Sequence, residues 1–147
     1  MQLRIKLSNS TFDPVTGRSI VTVKTKRGTY TGVAKIHPDD KEIQSKYTGL
    51  RIAEMKAVRK AYKDELKRER IILHTIERMT KDIIHNIHDS SYDEYLIMRT
   101  IRLRFHYMTE YHKRNINLLK KWIESINRSL EDNKKYLQHI KEKRSKK

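Results

Sequence analysis

From Leu50 onward, Met55, Val58, Tyr62, Leu66, Leu73, Ile76, Ile83 and Ile87 fall within roughly a 100° stripe when each residue advances about 100° around a helix axis. That period commits the segment to a long helix with one buried face. Positions 62, 66, 69, 73, 76, 80, 83 and 87 keep a spacing of four and three, which argues for coiled-coil-like packing, with Glu69 and Thr80 as polar interruptions. At His88-Asp89-Ser90-Ser91 the apolar anchors stop, and Ser91 followed by Glu94 makes a capping box that starts a second helix. On it Ile97, Ile101, Phe105, Met108, Leu119, Trp122, Ile123, Ile126, Leu130, Leu137 and Ile140 cluster on one side, with His112 and Asn115 inside the same stripe. Helices of about 40 and about 50 residues would run for about 60 and about 75 Å. One small sheet cannot cover rods of that length. The short connection favours an antiparallel hairpin, and the apolar residues left on the flanks, Leu103, Tyr107 and Leu118, favour burial against other copies, so a homo-oligomer is expected. With the reversal near Asp89, Glu69 lies across from the region of Glu110 to Arg114, and Glu69 with His112 is expected to form a polar layer that sets register.

The N-terminal part follows a different period. Leu3, Ile5 and Leu7 alternate with Gln2, Arg4 and Lys6, as in a strand with one buried face, and place a first strand over Met1 to Leu7. Asp13-Pro14-Val15-Thr16-Gly17 is a turn: Asp13 can bond its own backbone, Pro14 presets φ, and Gly17 can take φ > 0 at the exit. Ser19 to Thr25 and Thr29 to Ile36 are rich in Val, Ile, Thr and Tyr and are joined as a hairpin at Lys26-Arg27-Gly28. Asp39, three residues before Glu42, is expected to cap the next helix, and Gly49 to break or re-cap its first turn. The fold class is therefore α+β: a three-stranded antiparallel meander over 1–40 and a long helical region over 41–147, within a single domain.

Charge narrows the function. There are 34 Lys and Arg against 18 Asp and Glu, a formal net charge of +16, which is easiest to explain by a polyanionic or phosphate-bearing partner. Residues 1–40 carry seven basic and three acidic groups, 41–89 twelve and eight, and 90–147 fifteen and seven, so the last third holds half the excess. With no cysteine, neither a disulfide framework nor a thiolate metal site is available, and a reducing compartment is expected. No apolar h-region follows Arg4 and Lys6, so no signal peptide is expected, and no run approaches the ~20 apolar residues that span a bilayer.

Five groups of residues are candidates for chemistry. Arg99, Arg102, His106, Lys113 and Lys120 fall within roughly an 80° arc opposite the apolar stripe of the second helix. Between Tyr95 and Trp122 there are seven Lys or Arg and one acid, Glu110. Guanidiniums such as Arg99, Arg102 and Arg104 can bind phosphates bidentately, and Phe105, Tyr107 or Tyr111 could stack a base; a solvated helix face is the competing explanation. Arg27 and Gly28, in the Lys26 to Thr29 turn, could form an anion-holding nest, against a tip that only keeps a sheet edge soluble. Arg51, Arg59 and Lys60 could face the same ligand if copies pack around it, against ordinary surface pairing. His85, His88 and Asp89 lack a fourth metal ligand in register, and capping accounts for Asp39 and Asp40 beside His37. No Gly-rich phosphate loop, G-x-S-x-G or H-E-x-x-H occurs, so neither enzyme activity nor a cofactor is expected. The run from Lys134 to Lys147 reads as a fraying basic tail, a low-specificity tether at most.

With strands turning at Lys26-Arg27-Gly28, then Tyr30-Thr31-Gly32-Val33-Ala34-Lys35-Ile36-His37-Pro38-Asp39-Asp40, then Gly49-Leu50-Arg51-Ile52-Ala53-Glu54 opening a long helix, the chain resembles the phage Thoeris anti-defence sponge proteins. That resemblance covers most of the chain in architecture. It implies a short N-terminal sheet and C-terminal helices that assemble into oligomers and, in the host cytoplasm, sequester cyclic ADP-ribose-type signals without cleaving them, some members also holding cyclic oligonucleotides. It further implies helix arginines and an aromatic clamping two phosphates and an adenine in pockets shared between subunits. No binding motif of the family matches residue by residue, so Arg99, Arg102, Arg104 and Phe105 are assigned on local chemistry. The alternative is a protein binding double-stranded RNA or DNA, since β-β-β-α with a basic helix is also the order of double-stranded-RNA-binding domains. The Lys-Lys-rich helix start of those domains is missing here, where Tyr47-Thr48-Gly49-Leu50 stands.

Overall fold

A computed structural model describes residues 3–37, 46–86 and 91–146. Three strands, β1 (Lys6–Asp13), β2 (Arg18–Lys24) and β3 (Thr29–Lys35), form an antiparallel sheet in the order β1-β2-β3, followed by helices α1 (Lys46–His85) and α2 (Tyr92–Ser145). This is the α+β meander with two long helices that the two periods predict. Two compact units divide the chain, Met1–Lys63 with Lys121–Lys147, and Asp64–Lys120. The sheet thus shares a unit with the start of α1 and the end of α2.

The first turn forms as its residues predict. Asp13 Oδ1 accepts from the Val15 N–H at 2.9 Å, Asp13 Oδ2 from the Thr16 hydroxyl at 2.6 Å, and Gly17, at φ 65°, donates to the Asp13 carbonyl at 2.8 Å. The Thr16 hydroxyl, then the Val15 amide, hold the Asp13 carboxyl below its ordinary range. Its contribution to stability is therefore present above that range and lost as pH falls through the lowered value. Where β1 lies is a correction. Pairing starts at Lys6↔Lys24, so Leu3 and Ile5 precede the strand, and an irregularity between Leu7 and Asn9 shifts the register. Upstream pairing has no template, because β2 ends at Lys24 and the Thr25 N–H turns to the Gly28 carbonyl at 2.9 Å.

Alternation on β2 buries Ser19, Val21 and Val23, and on β3 Gly32 and Ala34. Val21, Val23 and Ala34 close on Ala53 and Ala57 of α1, with Ile5, Tyr30, Leu50, Ile52 and Val58 around them. Each fully buried valine contributes about 1.5 kcal/mol or more. Sheet and helix approach so closely that a Cβ on Gly32 would stand 1.9 Å from the Ala53 carbonyl oxygen and 2.6 Å from the Ala57 nitrogen. Gly49 neither breaks nor re-caps α1. It lies inside the helix, where a Cβ would meet Ser19 Oγ at 2.6 Å, so the bare backbone admits the sheet and offsets the cost of ~1 kcal/mol for glycine in a helix. Lys56 Nζ donates to the Val33 carbonyl at 3.0 Å and Lys60 Nζ to the Thr31 carbonyl at 2.6 Å, which occupies the open edge of β3. Burial, followed by the nearby charges of Arg59, Lys134 and Lys60, lowers the Lys56 pKa.

In the same unit the Tyr62 and Trp122 rings meet in a tilted pair, 5.2 Å between centroids, and burial raises the Tyr62 pKa. At the start of α2 the expected capping box is present: the Ser91 N–H donates to Glu94 Oε2 at 3.0 Å and the Glu94 N–H to Ser91 Oγ at 3.4 Å. Of the apolar stripe expected on α2, Leu119 and Ile123 are buried, whereas Ile97 and Met108 are exposed. The helix continues to Ser145, through the run expected to fray, because Leu130, Leu137 and Ile140 keep a half-buried face along it. The expected cap at Asp39 and Glu42 lies outside the described residues.

Gly32→Ala is expected to cost about 3 kcal/mol or more, read as a fall in the urea midpoint, because the obstructing atoms are backbone and cannot step aside. Gly28→Ala, whose Cβ would meet only the Tyr30 side chain, its hydroxyl at 3.5 Å, is expected to change stability by less than about 0.5 kcal/mol. Ser19→Ala, which removes a buried hydroxyl that has no hydrogen-bond partner among the described residues, is expected to raise stability by about 1 kcal/mol in the same assay.

Candidate functional site

Within the unit Asp64–Lys120, the second half of α1 meets the first half of α2. Stepping by four along α1 from Ala53 through Ala57, Ala61 and Glu65 leads to Glu69, so the small-residue line that is buried earlier in the helix ends in two buried acids. Glu69 is 5% exposed, its Oε2 lies 2.5 Å from His112 Nδ1, and its Oε1 accepts from Asn115 Nδ2 at 3.4 Å. Here is the polar layer expected of Glu69 and His112, with Asn115 as a third member. A buried carboxylate costs several kcal/mol unless such partners are in place, so the layer admits one register.

These contacts pair position 69 with 112 and 115, and in an antiparallel pair each step up α1 is matched by a step down α2. Glu77 therefore stands level with residues 104–107, Lys81 with 100–103 and Ile84 with 97–100. An open groove of about 880 Å³ follows this seam. Glu77, Thr80, Lys81 and Ile84 line it from α1, and Tyr95, Arg99, Arg102, Leu103, His106, Thr109, Glu110 and Lys113 from α2. On α2 the lining positions 95, 99, 102, 106, 109 and 113 alternate steps of four and three, which keeps one face turned to the groove over about 27 Å of helix.

Charge is unevenly spread along the groove. Lys81, Arg99 and Arg102 gather at one end, beside Ile84 and Tyr95. Towards the other end come Glu77, His106 and Glu110, and Glu110 Oε1 holds Lys113 Nζ at 3.3 Å. Neither Arg99 nor Arg102 makes a hydrogen bond or ion pair among the described residues. Two guanidiniums on one groove wall, one helical turn apart and with no protein acceptor, can take phosphate oxygens in their planar forks.

The structure separates the residues that the sequence groups as candidates. Arg99, Arg102, His106 and Lys113 share the groove; Lys120, Arg104 and Phe105 do not line it, Arg104 being exposed and Phe105 half-buried. In the other unit, Arg51 lines a smaller recess of about 270 Å³ with Tyr47, Thr48, Ile52, Met55, Ser129 and Asn133. Arg59 is engaged there, Nη1 donating to Asn127 Oδ1 at 2.8 Å. At the hairpin tip the Arg27 N–H donates to Thr25 Oγ1 at 3.2 Å and the Gly28 carbonyl accepts from Thr25, so that part of the expected nest is closed by Thr25 itself. His85 is exposed, and His88 and Asp89 lie outside the described residues, among which no cluster suited to a metal ion occurs. Glu77, Lys81, Ile84, Tyr95 and Thr109 escaped the sequence reading. Continuing the Glu69 to His112 register down both helices would have found the α1 members.

Glu69→Leu strands the buried Asn115 amide and the His112 ring, and is expected to cost about 1–3 kcal/mol in chemical denaturation. It should also loosen the register, seen as faster amide exchange across 64–120; unchanged exchange and stability would remove the layer's role. Comparison with known proteins finds no matching family model, no matching curated protein and no matching solved structure.

Proposed function

We propose that this protein binds a small phosphate-bearing nucleotide in the groove of the 64–120 unit and holds it without cleaving it. The observation that carries this reading is the pair Arg99 and Arg102, without protein acceptors, in a groove that also offers Tyr95 for stacking and Lys81 as a third cation. A solvated helix face would not need its cations on the side turned to a second helix, nor an aromatic beside them. Arg104, Phe105, Arg51, Arg59, Arg27 and Gly28 lie outside the groove, and Arg99 with Arg102 carry the proposal. A cyclic ADP-ribose-type signal, or a cyclic oligonucleotide, is the ligand class implied by the resemblance to phage sponge proteins, and sequestration in the host cytoplasm is the corresponding role. No helix among the described residues is long and apolar enough to cross a membrane. Self-association belongs to the same proposal: Leu96, Ile97, Leu103, Tyr107, Met108, Tyr111 and Leu118 leave apolar surface exposed on α2, more than isolated side chains would.

Duplex nucleic acid is the second reading, favoured by the exposed cations along α2 and the net charge of +16. Salt separates the two. Binding through several phosphates falls steeply with ionic strength, whereas a groove ligand held by two or three cations loses far less.

The protein should take up cyclic ADP-ribose or a cyclic oligonucleotide saturably at ~150 mM salt and release it chemically intact on heating, as read by equilibrium dialysis and chromatography. Arg99→Ala and Arg102→Ala are each expected to weaken uptake about tenfold or more, from the loss of charge-assisted hydrogen bonds. Retention of an RNA duplex alone, collapsing with added salt, would make this a nucleic-acid-binding protein instead.

A further inference from the structure

Resting on that reading of the groove, we infer that its carboxylate end, Glu77 with Glu110, recognises the hydrogen-bond-donating part of the ligand. The groove would then select a compact nucleotide with two ionised phosphates and reject bare polyanions. Four cations, Lys81, Arg99, Arg102 and Lys113, against two carboxylates, Glu77 and Glu110, leave a net charge of +2. A pyrophosphate diester carries two ionised oxygens and matches that balance; a polyphosphate or a nucleic-acid backbone exceeds it.

Position along the helices matters more than the total. Register places Lys81 and Ile84 level with the Arg102 and Arg99 end, and Glu77 level with His106, so Lys81, Arg99 and Arg102 occupy one stretch of the groove and the carboxylates, with Lys113 on Glu110, the next. Glu77 makes no ion pair among the described residues, although Lys81 stands one turn away on the same helix. A carboxylate is acceptor-only, and beside a phosphate it repels. It becomes favourable when the ligand brings donors to that spot, and a nucleotide brings ribose hydroxyls and an exocyclic amine within about 10 Å of its phosphates. Glu110 is tied to Lys113 at 3.3 Å, which orients one oxygen and leaves the other to accept. The Thr109 hydroxyl and the His106 ring on the same face can serve a ribose as donor or acceptor. Leu103, between the two ends, supplies an apolar wall for a base or sugar face.

The test is calorimetric titration of the full chain with cyclic ADP-ribose and, separately, inorganic pyrophosphate at ~150 mM salt, using wild type, Glu77→Gln, Glu110→Gln and Arg102→Ala. Glutamine keeps the size of the exposed Glu77 side chain, and melting by circular dichroism establishes that each variant is folded. Wild type is expected to bind the nucleotide at least about tenfold more tightly than pyrophosphate. Either glutamine variant should weaken the nucleotide about tenfold while leaving pyrophosphate unchanged or tighter, and Arg102→Ala should weaken both. If the glutamine variants shift both probes equally, in either direction, the carboxylates only set the overall charge and the inference falls, while the effect of Arg102→Ala still upholds the groove. If neither probe binds, or Arg102→Ala changes nothing, the reading of the groove falls and takes the inference with it.

Discussion

The Glu69 carboxylate, buried between α1 and α2 and held by His112 and Asn115, is the constraint on which the 64–120 unit turns. Apolar seams slide at small cost, because one leucine replaces another in the same hole. A buried carboxyl group does not, since a slip of one turn would exchange its partners for hydrocarbon and leave its oxygens without hydrogen bonds. Everything that makes the groove usable follows from that single alignment. Ile84 comes level with Arg99, Lys81 with Arg102, and Glu77 with His106, so two helix faces that look unremarkable alone become one lined channel.

A different device organises the sheet. Gly32 on β3 and Gly49, Ala53 and Ala57 on α1 carry almost no side chain, so strand and helix backbones meet nearly in contact. Close approach lets two valines and three alanines make a core where larger residues would hold the layers apart. It also brings Lys56 and Lys60 within reach of the β3 carbonyls, so the basic surface of α1 is used there to occupy a sheet edge. Cations therefore do different work in different places. Arg59, Lys56 and Lys60 serve structure through protein acceptors, whereas Arg99 and Arg102 line the groove with no acceptor among the described residues.

Much of this was legible beforehand, for reasons that can be named. The Asp13 to Gly17 turn, the Ser91 and Glu94 cap and the three-stranded meander are local, set by side chains within a few residues of the backbone groups they satisfy. Glu69 opposite His112 was readable because a reversal expected near Asp89 converts two helical periods into a register. Sequence also places a strand too early, over Met1 to Leu7, because alternation alone does not reveal that the partner strand ends at Lys24. Gly49 reads in the sequence as a break or re-cap of the first helical turn, since a glycine's cost to a helix is local while its benefit here lies across the interface at Ser19. Ile97 and Met108 fit the apolar period of α2 yet stand exposed, because period records which residues share a face and not whether anything covers it.

The site divides along the same line. By itself the sequence determined that α2 would be basic and depleted of acids between Tyr95 and Trp122, and that Arg99, Arg102, His106 and Lys113 would share a face, because those are properties of composition and of the 3.6-residue turn. Only the tertiary structure decided that this face looks into a groove, that Glu77, Lys81 and Ile84 form its opposite wall, and that Arg104, Phe105, Arg51, Arg59, Arg27 and Gly28 lie elsewhere. The physical reason is that a groove is a relation between two helices, set by a buried contact 43 residues apart in sequence, and no period along a single helix encodes it.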